Sequence, residues 1–134
     1  MEKECIEVSP LGRFEIKERG WGRWKHFPEY SRRHSEYVYV ILDQDNKPIY
    51  VGKAVNMVYR MSGHVRKPWF PRAASVYVFE IHGDSRFDAE SKTWEAERRF
   101  IEAIKPECNQ RPGSQVYASR YGQGFVLAGG GEVA

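Results

Sequence analysis

Two short runs of aromatic and β-branched residues, 36–42 (EYVYVIL) and 49–51 (IYV), flank the turn formers Asp43-Gln44-Asp45-Asn46-Lys47-Pro48. Residues of the first kind fit a pleated surface and those of the second reverse the chain, so the segment is committed to a β-hairpin. Gly52 reads as the end of its second strand. Val55, Val58, Met61 and Val65 then fall at helical spacing behind Asn56, a candidate N-cap. Residues 67–71 (KPWFP) form a Pro-bounded loop and 75–81 (SVYVFEI) a third strand. A last helix is expected over about 88–105, with Trp94, Ile101 and Ile104 on one stripe and Phe100 beside it. Ser85 and Asp88 form a candidate capping box at its start, and Pro106 stops it. The predicted class is α/β: a small three-stranded antiparallel sheet flanked by helices, in the order β-β-α-β-α.

The flanks of this unit differ from it. Residues 1–35 form a basic and aromatic extension, with Phe14, Trp21, Trp24, Phe27 and Tyr30 among Arg13, Lys17, Arg19, Arg23, Lys25, Arg32 and Arg33. Gly20 and Gly22 interrupt any long helix there. An irregular arm is expected, either packed on the domain or laid along a nucleic-acid backbone, with packing favoured for the tryptophans. Residues 111–134 read as a Gly-rich, loosely ordered tail. The organisation is therefore extension 1–35, one domain 36–110 and tail 111–134, without an internal repeat.

Composition narrows the function classes. With 41% apolar and 29% charged residues the 134-residue chain has an ordinary globular balance. No run approaches the ~20 apolar residues of a membrane span. Met1-Glu2-Lys3-Glu4-Cys5 lacks the apolar core of a signal peptide, and Cys5 and Cys108 are too few for a disulfide framework or a zinc cluster. A reducing, cytoplasmic (nucleoid-associated) setting is expected. The net charge of +3 is unevenly spread. Residues 47–79 contain no Asp or Glu but hold Lys47, Lys53, Arg60, Arg66, Lys67 and Arg72, whereas 80–108 are net acidic. A segregated basic block suits a polyanion, although a solvated basic face would look the same.

Three features carry chemistry. Glu97 occupies the position of the stripe Trp94, 97, Ile101, Ile104 that should be apolar. A carboxylate there either snorkels, pairs with an Arg or binds a cation. Arg60 and His64 are four apart on one helix face within the acid-free block. Solvent alone would account for such a pair. Tyr39 and Tyr50 lie on adjacent strands, which is ordinary cross-strand packing. Yet Tyr50-Val51-Gly52-Lys53 also delivers a phenol, a close-approach glycine and a cation just before a helix N-terminus, where anions are favoured.

Together these residues resemble the GIY-YIG nuclease domain. Tyr37-Val38-Tyr39 stands for its first motif and Tyr50-Val51-Gly52-Lys53 for its second. Asn56, Arg60, His64 and Glu97 follow in order, and Lys105-Pro106-Glu107-Cys108-Asn109 closes the unit. Arg60 lies eight residues after Gly52 and His64 four further on, as in the family. Tyr37 departs from the family's first Gly; the catalytic hydroxyl belongs to Tyr39, and the Ile-to-Val changes keep their apolar role. The resemblance spans about residues 36–110.

It implies a divalent-metal-dependent endonuclease acting on DNA, using Mg²⁺ with Mn²⁺ able to substitute. Glu97 would be the metal ligand, Arg60 the donor fork on the phosphate, and Tyr39 the general base, directly or through a neighbour. Tyr50 and His64 complete the catalytic set, His64 as a proton relay. Substrate contacts are expected at Gly52, Lys53, Arg66, Lys67, Arg72 and Asn109, with Asn109 also holding the helix-to-tail turn. The biology implied is restriction, phage or mobile-element DNA cutting, or repair. One site per chain cuts one strand, so a double-strand break calls for a homodimer or two visits; no membrane role is expected. The alternatives are a non-catalytic nucleic-acid-binding module of the same fold and, less suited to the basic block, a protein-interaction domain.

Overall fold

The computed structural model describes residues 5–16, 24–29 and 34–109. Strand β1 (Ser9–Glu15) is followed by β2 (Ser35–Leu42), β3 (Pro48–Ala54), helix α1 (Met57–His64), β4 (Ser75–His82) and helix α2 (Arg86–Ile104), with 3-10 turns at Phe70–Arg72 and Glu107–Asn109. The sheet has four strands in the order β1-β4-β2-β3, each pair antiparallel. Three strands were expected, so this is a correction. The fourth comes from inside the basic extension, where β1 pairs with β4 from Ser9↔Glu80 to Glu15↔Ser75. Its register slips between Pro10 and Gly12, and Gly12 takes a φ of 121°. A Pro and a positive-φ Gly at a bulge are tolerated because β1 is an edge strand, and they also erase its strand signature. Trp24 and Phe27 of the same extension are buried in the core. Trp21, Tyr30, Lys17, Arg19, Arg23, Arg32, Arg33 and the tail 111–134 lie outside the described residues.

The hairpin forms as its turn residues require. Asp43 Oδ1 accepts from the backbone N–H of Asp45 and of Lys47, both at 2.9 Å, and Asn46 adopts a left-handed φ of 64°. Strand β3 does not stop at Gly52 but runs on to Ala54, so Gly52 is mid-strand and sits opposite Tyr39. Central strand β2 is buried along its whole length and feeds two cores. Tyr37, Tyr39 and Ile41 face one core with Ile49, Met57 and Met61. Val38, Val40 and Leu42 face the other with Val51, Ile81 and Ala96.

Each helix presents a slightly different face from the expected one. Asn56 caps α1 by accepting from Tyr59 N–H at 3.0 Å. The buried stripe is Met57, Met61 and His64, with Val58 half-buried and Val65 exposed. Methionines fill the irregular space over the sheet that β-branched valines do not reach. Helix α2 begins at Arg86, capped by Ser85, whose hydroxyl accepts from Asp88 N–H at 3.0 Å. The reciprocal bond runs to the neighbouring residue, Asp84 N–H to Asp88 Oδ2 at 2.8 Å. Ala89, Thr93 and Ala96 form its buried line, and these small residues let the helix lie close to β2 and β3. Trp94, Ile101 and Ile104 flank that line half-buried, which brings Glu97 to the margin of the interface rather than its centre. Lys105 ends α2 in the left-handed region, and Pro106 follows.

Candidate active site

The site is built around the cross-strand pair Tyr39 and Gly52. Tyr39 is fully buried, and its ring passes over the glycine. A Cβ at position 52 would stand 2.5 Å from the Tyr39 hydroxyl, 2.7 Å from its Cζ and 3.0 Å from Tyr50 Cε2. Glycine is needed here for close approach, with no unusual backbone angle involved.

Helix α1 supplies the partners of the phenol. The Tyr39 hydroxyl lies 2.7 Å from His64 Nε2, and Arg60 Nε donates to the same oxygen at 3.2 Å. Arg60 can only donate, so the phenol oxygen accepts from it, and the imidazole tautomer sets whether the phenol or His64 Nε2 supplies the proton of their shared bond. The i, i+4 spacing that puts Arg60 and His64 on one face thus has a common target. The imidazole is boxed by rings: Tyr50 meets it edge-on at 5.0 Å, Tyr39 at 5.8 Å, and Trp69 lies at 5.1 Å. Trp69 also stacks on Tyr50 at 4.9 Å. Trp69 had no role in the sequence reading beyond membership of a Pro-bounded loop. The signal was available in principle, since a tryptophan between two prolines is costly to leave in water.

Charge and burial act together. Burial lifts the Tyr39 pKa well above that of a free phenol; Tyr50 and Glu97 add to this and the Arg60 charge and hydrogen bond oppose it. The Arg60 guanidinium is correspondingly held protonated, chiefly by Tyr39. Glu97 is pushed up to about 7 by desolvation, against the pull of Lys53 and Arg60. The Lys53 ammonium sits 4.4 Å from the centre of the Trp94 ring. It also acts on Glu36, a buried carboxyl raised by desolvation, which lies diagonally across the ladder from it because Val38 pairs with Lys53. Glu36 and Trp94 were not singled out as site residues from the sequence.

Glu97 is the carboxylate that a metal ion would meet at this site. Among the described residues no group of three His, Cys, Asp or Glu converges, which disfavours a zinc-type cage. A single desolvated carboxylate that neighbouring cations do not fully neutralise suits a hard divalent ion that keeps most of its waters, as Mg²⁺ does.

The remaining expected site residues divide. Arg66 is exposed and Lys67 half-buried just past the end of α1. Arg72, expected on the substrate, instead makes a two-pronged pair with Glu107 at 2.8 and 2.9 Å, with Asp43 at 3.8 Å. Asn109, also expected there, pairs with the backbone of Val51: its Oδ1 accepts from Val51 N–H and its Nδ2 donates to Val51 C=O, both at 2.8 Å. These contacts cover part of the outer edge of β3 and pin the Glu107–Asn109 turn to it.

The family model for the GIY-YIG catalytic domain matches residues 35–110, more than half of the chain. The chain belongs to the GIY-YIG family. The match begins at the first residue of β2 and ends just past the last turn, so it takes in all of Tyr39, Tyr50, Arg60, His64 and Glu97. The GIY-YIG span leaves β1 outside, although β1 completes the sheet. A GIY-YIG domain is a nuclease-type fold, of a family that is generally endonucleolytic. No curated protein and no solved structure matches the chain. No helix among the described residues is long and apolar enough to cross a membrane.

Proposed function

We propose that this GIY-YIG protein is a divalent-metal-dependent DNA endonuclease that hydrolyses one phosphodiester bond per encounter. The observation that carries the reading is the hydrogen-bonded set Tyr39, His64 and Arg60, electrostatically coupled to the desolvated Glu97. A purely binding module has no use for a carboxylate beside a phosphate site.

Glu97 would hold the metal, Mg²⁺ with Mn²⁺ able to substitute, and the bound ion would supply Lewis-acid stabilisation of the phosphate and the departing 3′ oxygen. Arg60 binds the scissile phosphate as a permanently charged donor. Its present partners are phenol oxygens, weaker acceptors than a phosphate, so the substrate draws the guanidinium outward. That movement frees a lone pair on Tyr39. The phenol then takes the proton of the attacking water while passing its own to His64 Nε2, which resolves how a buried phenol with a raised pKa acts as a base. Tyr50 and Trp69 hold the imidazole in line, and Lys53 contributes positive charge near Glu97. Arg66 and Lys67 add backbone contacts, and Arg72 and Asn109 keep the architecture rather than the substrate.

The test is Mg²⁺-dependent cleavage of supercoiled plasmid by the wild type and by Glu97→Ala, each with an EDTA control and each shown to be folded and to bind DNA. Cleavage by the wild type alone supports the assignment. Cleavage by both removes Glu97 from the metal site, and binding without cleavage by either, on branched DNA and with Mn²⁺ as well, favours a non-catalytic module.

A further inference from the structure

Helix α1 has one face that the fold leaves to the outside. Tyr59 is 79% exposed, one residue before Arg60. Ser62 and Gly63 lie three and four positions on, so they share its side of the helix, and Arg66 follows just past the helix end; all are exposed. Gly63 is the odd member. A Cβ built there meets nothing within 4 Å among the described residues, and no positive φ calls for glycine. Glycine inside a helix costs stability relative to alanine. Nothing within the described fold asks for that cost.

We infer that this face is a nucleic-acid docking surface, on which the Tyr59 ring stacks on a base next to the phosphate held by Arg60 and Gly63 lets the sugar-phosphate backbone approach the helix. The inference rests on the nuclease reading and adds to it the residues that hold the strand beside the cut. Charge decides the class of partner. The face lies within residues 47–79, which contain no Asp or Glu, and it ends on the cationic Arg66. Tyr59 has Ser, Gly and Arg as its neighbours on the face, so it does not seed the apolar centre of a protein interface. A lone exposed ring among cations is instead the pattern that stacks on bases while the charges follow phosphate. The surface is also continuous with the candidate active site through Arg60.

The experiment measures binding of a short fluorescein-labelled DNA duplex bearing a single-stranded overhang by anisotropy in EDTA, across a salt series, with thermal melts of each protein. Tyr59→Ala weakens binding by about tenfold with the salt slope unchanged, and Tyr59→Phe retains it, because the ring and not the hydroxyl is used. Arg66→Ala lowers the salt slope by about one. Gly63→Ala raises Tm by ~2–4 °C and yet weakens DNA binding. A helix that becomes more stable while its ligand is lost cannot be explained by misfolding. If wild type binds and cuts while Tyr59→Ala and Gly63→Ala bind as it does, this inference falls and the nuclease reading stands. A wild type that neither binds nor cuts overturns both.

Discussion

Gly52 lies directly across the β2–β3 ladder from Tyr39, and the tyrosine ring fills the volume that a side chain at 52 would need. The family's second motif therefore supports its first: the glycine gives the phenol its seat. Gly52→Ala should place a methyl 2.5 Å from the Tyr39 hydroxyl, where the ring is locked by His64 and Arg60 and has little room to give. The expected result is a folded protein destabilised by about 1–3 kcal/mol, with cleavage reduced far more than DNA binding. Parallel melts, binding and plasmid assays would show it, and wild-type turnover would remove the steric argument.

Tyr39→Phe keeps the ring and deletes only the oxygen shared by Arg60 and His64. Stability should fall by about 1–3 kcal/mol, and the rate by roughly 10²–10⁴. His64→Ala added to this variant should cost little further rate, since the two groups act as one relay. Multiplying defects in the double variant would show that they act separately.

The pH dependence follows from Glu97. Its carboxyl is raised from 4.5 to about 7 by burial, so the folded protein holds a proton that the unfolded chain has lost over that interval. Stability of the metal-free protein should therefore decline as pH rises from about 4.5 to 7, by at most ~3 kcal/mol. Glu97→Gln should flatten this slope. Thermal melts in EDTA at pH 5 and pH 8 decide the matter, and equal slopes in the two proteins would count against a desolvated carboxylate. Mg²⁺ binding should release protons below pH 7 and tighten as Glu97 ionises.

Arg72 is expected to be silent on DNA. Its guanidinium is engaged by Glu107 and Asp43, and the pair holds Glu107 down to about 2. Arg72→Ala should leave the salt slope of DNA binding unchanged, and its small effect on Tm should vanish at high salt. A slope reduced by one would return Arg72 to the phosphate contacts.

What could be read from the sequence depended on whether local chemistry or tertiary packing decides a position. The hairpin turn was legible because Asp43 and Asn46 act on their own backbone. Both helix caps were legible for the same reason, in Asn56 and Ser85. Strand β1 was not, because Pro10 and Gly12 mark a bulge that only an edge position against β4 makes possible. The buried line of α1 was legible only in part: Met61 was expected inside and is, whereas Met57 and His64 fill it in place of Val58 and Val65. At the site, motif spacing identified the set that the fold gathers around Tyr39. It could not reveal that Arg72, expected on the substrate, meets an acid thirty-five residues away, because that pair forms only in the fold.

Strand β1 has one more consequence. The folding unit and the family unit are not the same length: inheritance is written in residues 35–110, but the sheet closes only with a segment that precedes them. Cutting the chain back to its recognisable domain would bare the hydrogen-bonding edge of β4 and take Trp24 and Phe27 out of the core. Such a fragment would keep Tyr39, Tyr50, Arg60, His64 and Glu97 and expose an unpaired strand edge, the kind of edge on which sheets associate. Dividing this protein at its motif boundaries would discard a strand on which its sheet depends.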